Sequence, residues 1–201
     1  MKILMVLTSH DKMGDTGHPT GIWLEEFTTP YYQFIDAGVQ VTIATPKGGP
    51  APIDPTSLDD ESESTKRYQA ESKEQDLLAF TKTLAEVAEQ DFDAIFYPGG
   101  HGPLWDLAEE KTSADLIAQY LKAGKPVAAV CHGPAVFKLA QIDGKPVVKG
   151  KRVTGFSNSE EEAAGLTDVV PFLVEDMLKE NGGIYECGED WQPHVITDGL
   201  L

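Results

Sequence analysis

At 201 residues the chain suits one domain, able to bury about 70% of its unfolded surface. Its 41% hydrophobic and 24% charged residues are an ordinary globular balance. The net charge of −17, with no Lys/Arg cluster to offset it, excludes nucleic-acid backbones and anionic membrane surfaces as partners. Two cysteines without CxxC or CxxH spacing exclude a disulfide framework and a zinc site. No apolar run approaches the ~18 residues of a membrane span. The opening MKILMVLTSH is too brief for a secretory leader. A cytoplasmic protein is the expectation.

In chain order, Lys2–Thr8 reads as a buried strand and Ser9–Thr20 as a polar loop. Ser9-His10-Asp11 spells the three members of a hydrolase triad, but consecutive residues cannot form that relay, and they read as loop. Gly21–Ala37 predicts a helix with Trp23, Phe27, Tyr31 and Phe34 on one face, a kink at Pro30 and a stop at Gly38. Glu26 falls on the core side of that helix and Glu25 on the wetter side. A carboxyl on the buried side should titrate high and could donate a hydrogen bond to a thiolate. Val39–Ala44 predicts a second strand, Thr45–Ser64 a long loop, and 73–89 a helix running through Leu77, Leu84 and Val87.

Asp93–Tyr97 predicts a third strand, closed by Pro98-Gly99-Gly100-His101-Gly102. That turn lacks the GxGxxG spacing of a dinucleotide site and the Gly-Lys-Ser/Thr of a P-loop. It does let backbone N–H groups approach a ligand at the carboxyl end of a strand, which makes Gly99 and Gly100 candidate oxyanion donors. Ser113–Ala123 predicts a helix stopped by Gly124.

Lys125–Phe137, KPVAAVCHGPAVF, carries the sharpest signal. Pro126–Val130 reads as a strand buried on both faces at the centre of a parallel sheet, followed at once by Cys131, His132 and an apolar helical run. Ala129 and Gly133 are small enough to close a strand-to-helix elbow that lifts Cys131 out of the sheet. The His132 N–H and the following helix would favour its thiolate. Cys131 therefore reads as a nucleophile; a buried core cysteine is the competing reading.

Beyond the elbow, Lys151–Phe156 predicts a strand. Ser157 to Glu160 and Ser159 to Glu162 match the capping-box pattern over three consecutive acids. Asp168–Asn181 predicts a helix, and Ile184–Cys187 and Val195–Thr197 late strands, with Asp198-Gly199 a turn that lacks a return partner. A closing element at the C-terminus is expected to be absent. Cys187 reads as packing. Alternating strands and helices predict an α/β protein with a mainly parallel sheet covered on both faces.

Taken together, Thr20-Gly21 with Glu26 and Pro30, PGGHGPLWD at 98–106, AAVCHGPAVF at 128–137, KRVTGFSNSEE at 151–161 and VITDGLL at 195–201 resemble the PfpI/amidotransferase-like superfamily. Within it the chain resembles the heat-shock chaperone branch of glutathione-independent glyoxalases (glyoxalase III). The resemblance implies a flavodoxin-like three-layer α/β/α sandwich over residues 1–201 and a homodimer. It also implies a Cys131–His132–Glu161 triad, with Glu26 contacting the thiol and oxyanion donors at Gly100 and His132. The implied chemistry needs no glutathione, metal or organic cofactor: Cys131 adds to a 2-oxoaldehyde, and His132 or Glu26 moves a proton through an enediol to give a 2-hydroxy acid. A cysteine peptidase or amidase and a non-enzymatic holdase or redox sensor are the alternatives. A glutamine amidotransferase is disfavoured, because His194 is not followed by a His-x-Glu pattern.

Overall fold

Short runs of β-branched and aliphatic residues form the strands of one parallel sheet. These are β1 (Lys2–Val6), β2 (Gln40–Thr45), β3 (Lys82–Thr83), β4 (Ala94–Tyr97) and β5 (Val127–Ala129), in the order β3-β2-β1-β4-β5. The computed structural model describes every residue except Glu89, so the last residue of the helix predicted over 73–89 lies outside the described residues. β1 sits at the centre, where Leu4 opposes Thr42 on one side and Ile95 on the other. Alternate residues of β1, and Leu7 just past its end, feed two cores. Leu4 and Val6 join Ile95, Tyr97, Ile117 and Val127 on one face, whereas Ile3, Met5 and Leu7 join Phe27, Tyr31 and Ile43 on the other.

The second face is covered by α1 (Leu24–Asp36), α2 (Glu63–Ala70) and α3 (Ser72–Ala79). On the first lie the short α4 (Leu84–Val87) and the amphipathic α5 (Lys111–Lys122). The result is the expected flavodoxin-like α/β/α sandwich. A hairpin of β6 (Gln141–Ile142) and β7 (Lys145–Pro146) follows. β8 (Arg152–Val153) then pairs in parallel with β9 (Ile184–Tyr185), and α6 (Asn158–Ala163) and α7 (Val174–Glu180) lie between them.

Several expectations are corrected. β5 is an edge strand, not a central one: β4 flanks it on one side, and on the other Val127 N–H donates only to the Leu200 carbonyl at 2.9 Å. On the face that α1 covers elsewhere, Ala128 is exposed and Val130 is 38% exposed, so this strand is not buried on both faces. The run after Cys131 is a single 3-10 stretch, Gly133–Phe137.

The helix predicted over 73–89 breaks at Phe80, which is 77% exposed, because Thr81 bridges to Gly49 and Lys82–Thr83 are taken by the sheet as β3. Thr81 exchanges backbone hydrogen bonds with Gly49, and Thr83 then opens α4 through a capping box with Glu86. The loop predicted over 45–64 contains a 3-10 turn, Pro55–Asp59, capped by Asp54. The strand predicted over 151–156 shortens to β8 and lies outside the main sheet. Residues 195–197 form no strand; the tail is fixed instead by Asp198, which accepts from the Arg152 N–H at 2.9 Å.

Candidate active site

Cys131 leaves β5 with φ of +59°, a left-handed conformation uncommon for a residue with a side chain. That twist, closed by Gly133, is what an elbow requires: a Cβ on Gly133 would lie 2.6 Å from the Tyr97 carbonyl. Adjacent side chains ordinarily splay, yet here the turn folds His132 back, and its Nδ1 lies 3.3 Å from Cys131 Sγ. The other ring nitrogen, Nε2, is 2.6 Å from Glu161 Oε2. Glu161 is placed by α6, whose first turn is fixed by the Ser157–Glu160 capping box. Ser159 makes no second box and donates to Asp190.

Glu26 reaches the sulfur from the first turn of α1. Its Oε2 accepts the Gly99 N–H at 2.8 Å, and its carboxyl hydrogen-bonds Cys131. This corrects the expectation that Gly99 is an oxyanion donor: its N–H is already committed to Glu26. A side chain at Gly99 would put its Cβ 2.6 Å from that oxygen and 2.7 Å from Cys131 Cβ, so only glycine leaves room for the pair. Gly100, at φ +81°, turns its N–H toward the sulfur, as His132 does from the other side. The two N–H groups are the geometry an oxyanion hole needs.

Burial sets the protonation states. It raises Glu26 to about 7, against hydrogen bonds from Cys131 and Gly99 that pull it down. Burial, and then the neighbouring Glu26, push the Cys131 thiol well above its usual value; the N–H groups of Gly100 and His132 work in the other direction. This corrects the expectation of a resting thiolate: the elbow's amides are outweighed by desolvation. His132 is lowered to about 4, also mainly by burial. Burial acts upward on Glu161, but hydrogen bonds from His101 and His132 outweigh it and hold the carboxyl at about 2. The site thus rests as a neutral thiol beside a neutral imidazole. Ionised Glu161 fixes the tautomer, leaving Nδ1 free to take the thiol proton.

His101 was not singled out from the sequence. It sits in the same glycine turn that supplied Gly99 and Gly100, and its Nε2 lies 2.8 Å from Glu161 Oε1. The ring packs against that of His132 at 4.0 Å between centroids, tilted by 39°. The signal was its place in the turn, one residue past Gly100; the partner 60 positions later could not be read locally. The ligand atoms of His101, His132 and Glu161 lie within 4.8 Å of one another, the kind of set that can hold a metal. Separations of 2.6 and 2.8 Å to the carboxylate are proton-sharing distances, so hydrogen bonding accounts for the convergence.

Glu26, Gly100, His101, Cys131 and His132 line a cavity of about 1320 Å³ that continues along the uncovered face of β5, with Glu161 behind them. Phe156 packs on the His132 ring at 4.2 Å, and Trp191 packs on Phe156 at 5.8 Å. Cys187, expected to be a packing residue, is instead exposed at the cavity's rim, because β9 ends two residues before it. Glu25 accepts from Thr29 Oγ1, and Glu160 and Glu162 stay outside the relay. Ser9, His10 and Asp11 remain loop, with His10 turned to the Lys12 carbonyl.

Residues 20–177 match the DJ-1/PfpI family. The chain belongs to that family. Among its relatives, glutathione-independent glyoxalase HSP31 of Saccharomyces cerevisiae is 31% identical over 100% of this chain and 89% of its own length. The crystal structure of glyoxalase III from Candida albicans superposes with a TM-score of 0.91 at 27% identity, covering 100% of this chain and 88% of that one. Rapid encystment protein 24 kDa from Francisella tularensis is similar with a TM-score of 0.94 at 37% identity, over 99% of this chain and 89% of its own. The resemblance read from the motifs is that of the DJ-1/PfpI family and its glyoxalase relatives.

Proposed function

We propose that this chain is a glutathione-independent glyoxalase, converting methylglyoxal-type 2-oxoaldehydes to 2-hydroxy acids, lactate in the case of methylglyoxal. The observation that carries the reading is the Sγ–His132–Glu161 relay beside a buried, protonatable Glu26, in a chain related end to end to proteins named glyoxalases. His132 Nδ1 takes the thiol proton as sulfur adds to the aldehyde, and passes it to the new alkoxide to complete the hemithioacetal. Freed again, the same nitrogen removes the C1 proton while Glu26 protonates the C2 oxygen, giving the enediol; it then returns the proton at C2 as Glu26 takes the C1 hydroxyl proton, leaving the thioester. The thioester so formed is hydrolysed by water, releasing the 2-hydroxy acid and the thiol. N–H groups of Gly100 and His132 stabilise the oxyanion, a contribution of ~3–4 kcal/mol per donor in acyl-transfer sites. Glu26, as an acid, donates to whichever of sulfur or substrate oxygen carries charge.

The same reading takes residues 1–201 as one catalytic domain acting in the cytoplasm as a homodimer, which sedimentation would check. Among the described residues no helix is long and apolar enough to cross a membrane. The deciding experiment is incubation with methylglyoxal and no thiol cofactor, with lactate as the readout. Cys131→Ala abolishes lactate formation and Cys187→Ala leaves it nearly intact; equal loss in both, or in neither, overturns the assignment. Amine release from peptides would identify a cysteine peptidase on the same elbow. Aggregation suppression that survives Cys131→Ala, without lactate formation, would identify a holdase.

A further inference from the structure

Glu161 is 2% exposed, and a carboxylate that deep requires a donor on each oxygen. Among the described residues it has two side-chain partners, both imidazoles: His132 on Oε2 and His101 on Oε1. His101 therefore supplies half of the hydrogen bonding to the anion that orients His132. Its ring is well held for this. Gly100 turns the chain at φ +81°, the Gly102 N–H is tied to the Gly21 carbonyl, and the imidazole lies on His132 at 4.0 Å with its edge toward Phe156 at 6.1 Å.

We propose that His101 is a positioning residue, whose Nε2–H holds the Glu161 carboxylate as an aligned anion so that His132 stays a base toward Cys131. Without it, Oε1 is a buried charged oxygen with no donor, and the carboxylate either rotates away or takes up a proton. In both cases Nε2 of His132 loses its anion and Nδ1 loses strength as a base toward sulfur. The role deepens the glyoxalase reading and rests on it for turnover alone; the behaviour of the sulfur is independent of any substrate.

The test compares His101→Phe, which keeps an aromatic ring on His132 but has no donor, with His101→Gln, which restores a donor without the ring. In a Cys187→Ala background, alkylation of Cys131 by iodoacetamide at pH 7 is expected to slow ~10–100-fold in the Phe variant and to stay within about threefold of the parent in the Gln variant. For methylglyoxal, kcat falls in parallel while KM is unchanged. Alkylation of the Phe variant within about twofold of the parent, or equal slowing in both variants, overturns the proposal. Should the Phe variant fail to fold, proton NMR of the unmodified protein decides. Two carboxylate-bonded Nε2–H resonances, one from each histidine, are expected, and only one overturns it. Absence of lactate from the parent would overturn the glyoxalase reading while leaving the alkylation and NMR comparisons to judge His101.

Discussion

Glu26 and Cys131 form a buried acid–thiol pair whose protonation sets the working range. In the proposed mechanism neutral His132 serves as base and fails as pH drops toward about 4, and protonated Glu26 serves as donor and fails as pH rises through about 7. The profile of kcat/KM against pH is expected to be a bell between those limits, and Glu26→Gln removes its alkaline limb. The same shift has a stability consequence. Glu26 is raised in the folded state, so its contribution is full below the unfolded value of 4.5 and is lost as pH rises through about 7. Relative to wild type, Glu26→Gln should gain on the order of a few kcal/mol in urea unfolding between those pH values and level off above them. An unchanged difference across that range would mean that Glu26 is already ionised in the folded protein. At this scale the sequence was legible where helical spacing pointed Glu26 inward. The thiol's protonation was not, because desolvation depends on every group packed around the sulfur.

Among the elements, the two capping boxes separate stability from activity. Thr83→Ala and Ser157→Ala each remove a hydroxyl that accepts a helix N–H, and each should cost about 1 kcal/mol of stability by denaturant titration. Only Ser157→Ala should also depress turnover, because α6 carries Glu161 whereas α4 carries no group of the site. Comparable activity losses in the two variants would show that the register of α6 does not matter. The Ser157 box could be read directly from its four-residue pattern. The break at Phe80 could not: apolar spacing continues smoothly from Leu77 to Val87, and what overrides it is a hydrogen-bonded place for Thr81–Thr83 beside Gly49 and β2. Local periodicity has no access to that competition.

For the molecule as a whole, a net charge of −17 opposes the compact state at low ionic strength. Adding salt to ~0.15 M, where the screening length is about 8 Å, is expected to raise the melting temperature, read by calorimetry at fixed pH. A melting temperature that falls with salt would mean that ion pairs such as Arg152–Glu186 outweigh the repulsion. The sequence by itself determined the alternation of strands and helices, the elbow at Cys131 and the family motifs, because these rest on periodicity, turn chemistry and residue size over a few neighbours. Only the tertiary structure decided that β5 lies at the edge, that Cys131 rests as a thiol, and that His101 shares Glu161 with His132. Sheet order, burial and a buried carboxylate's second donor are set by contacts between residues far apart in the chain.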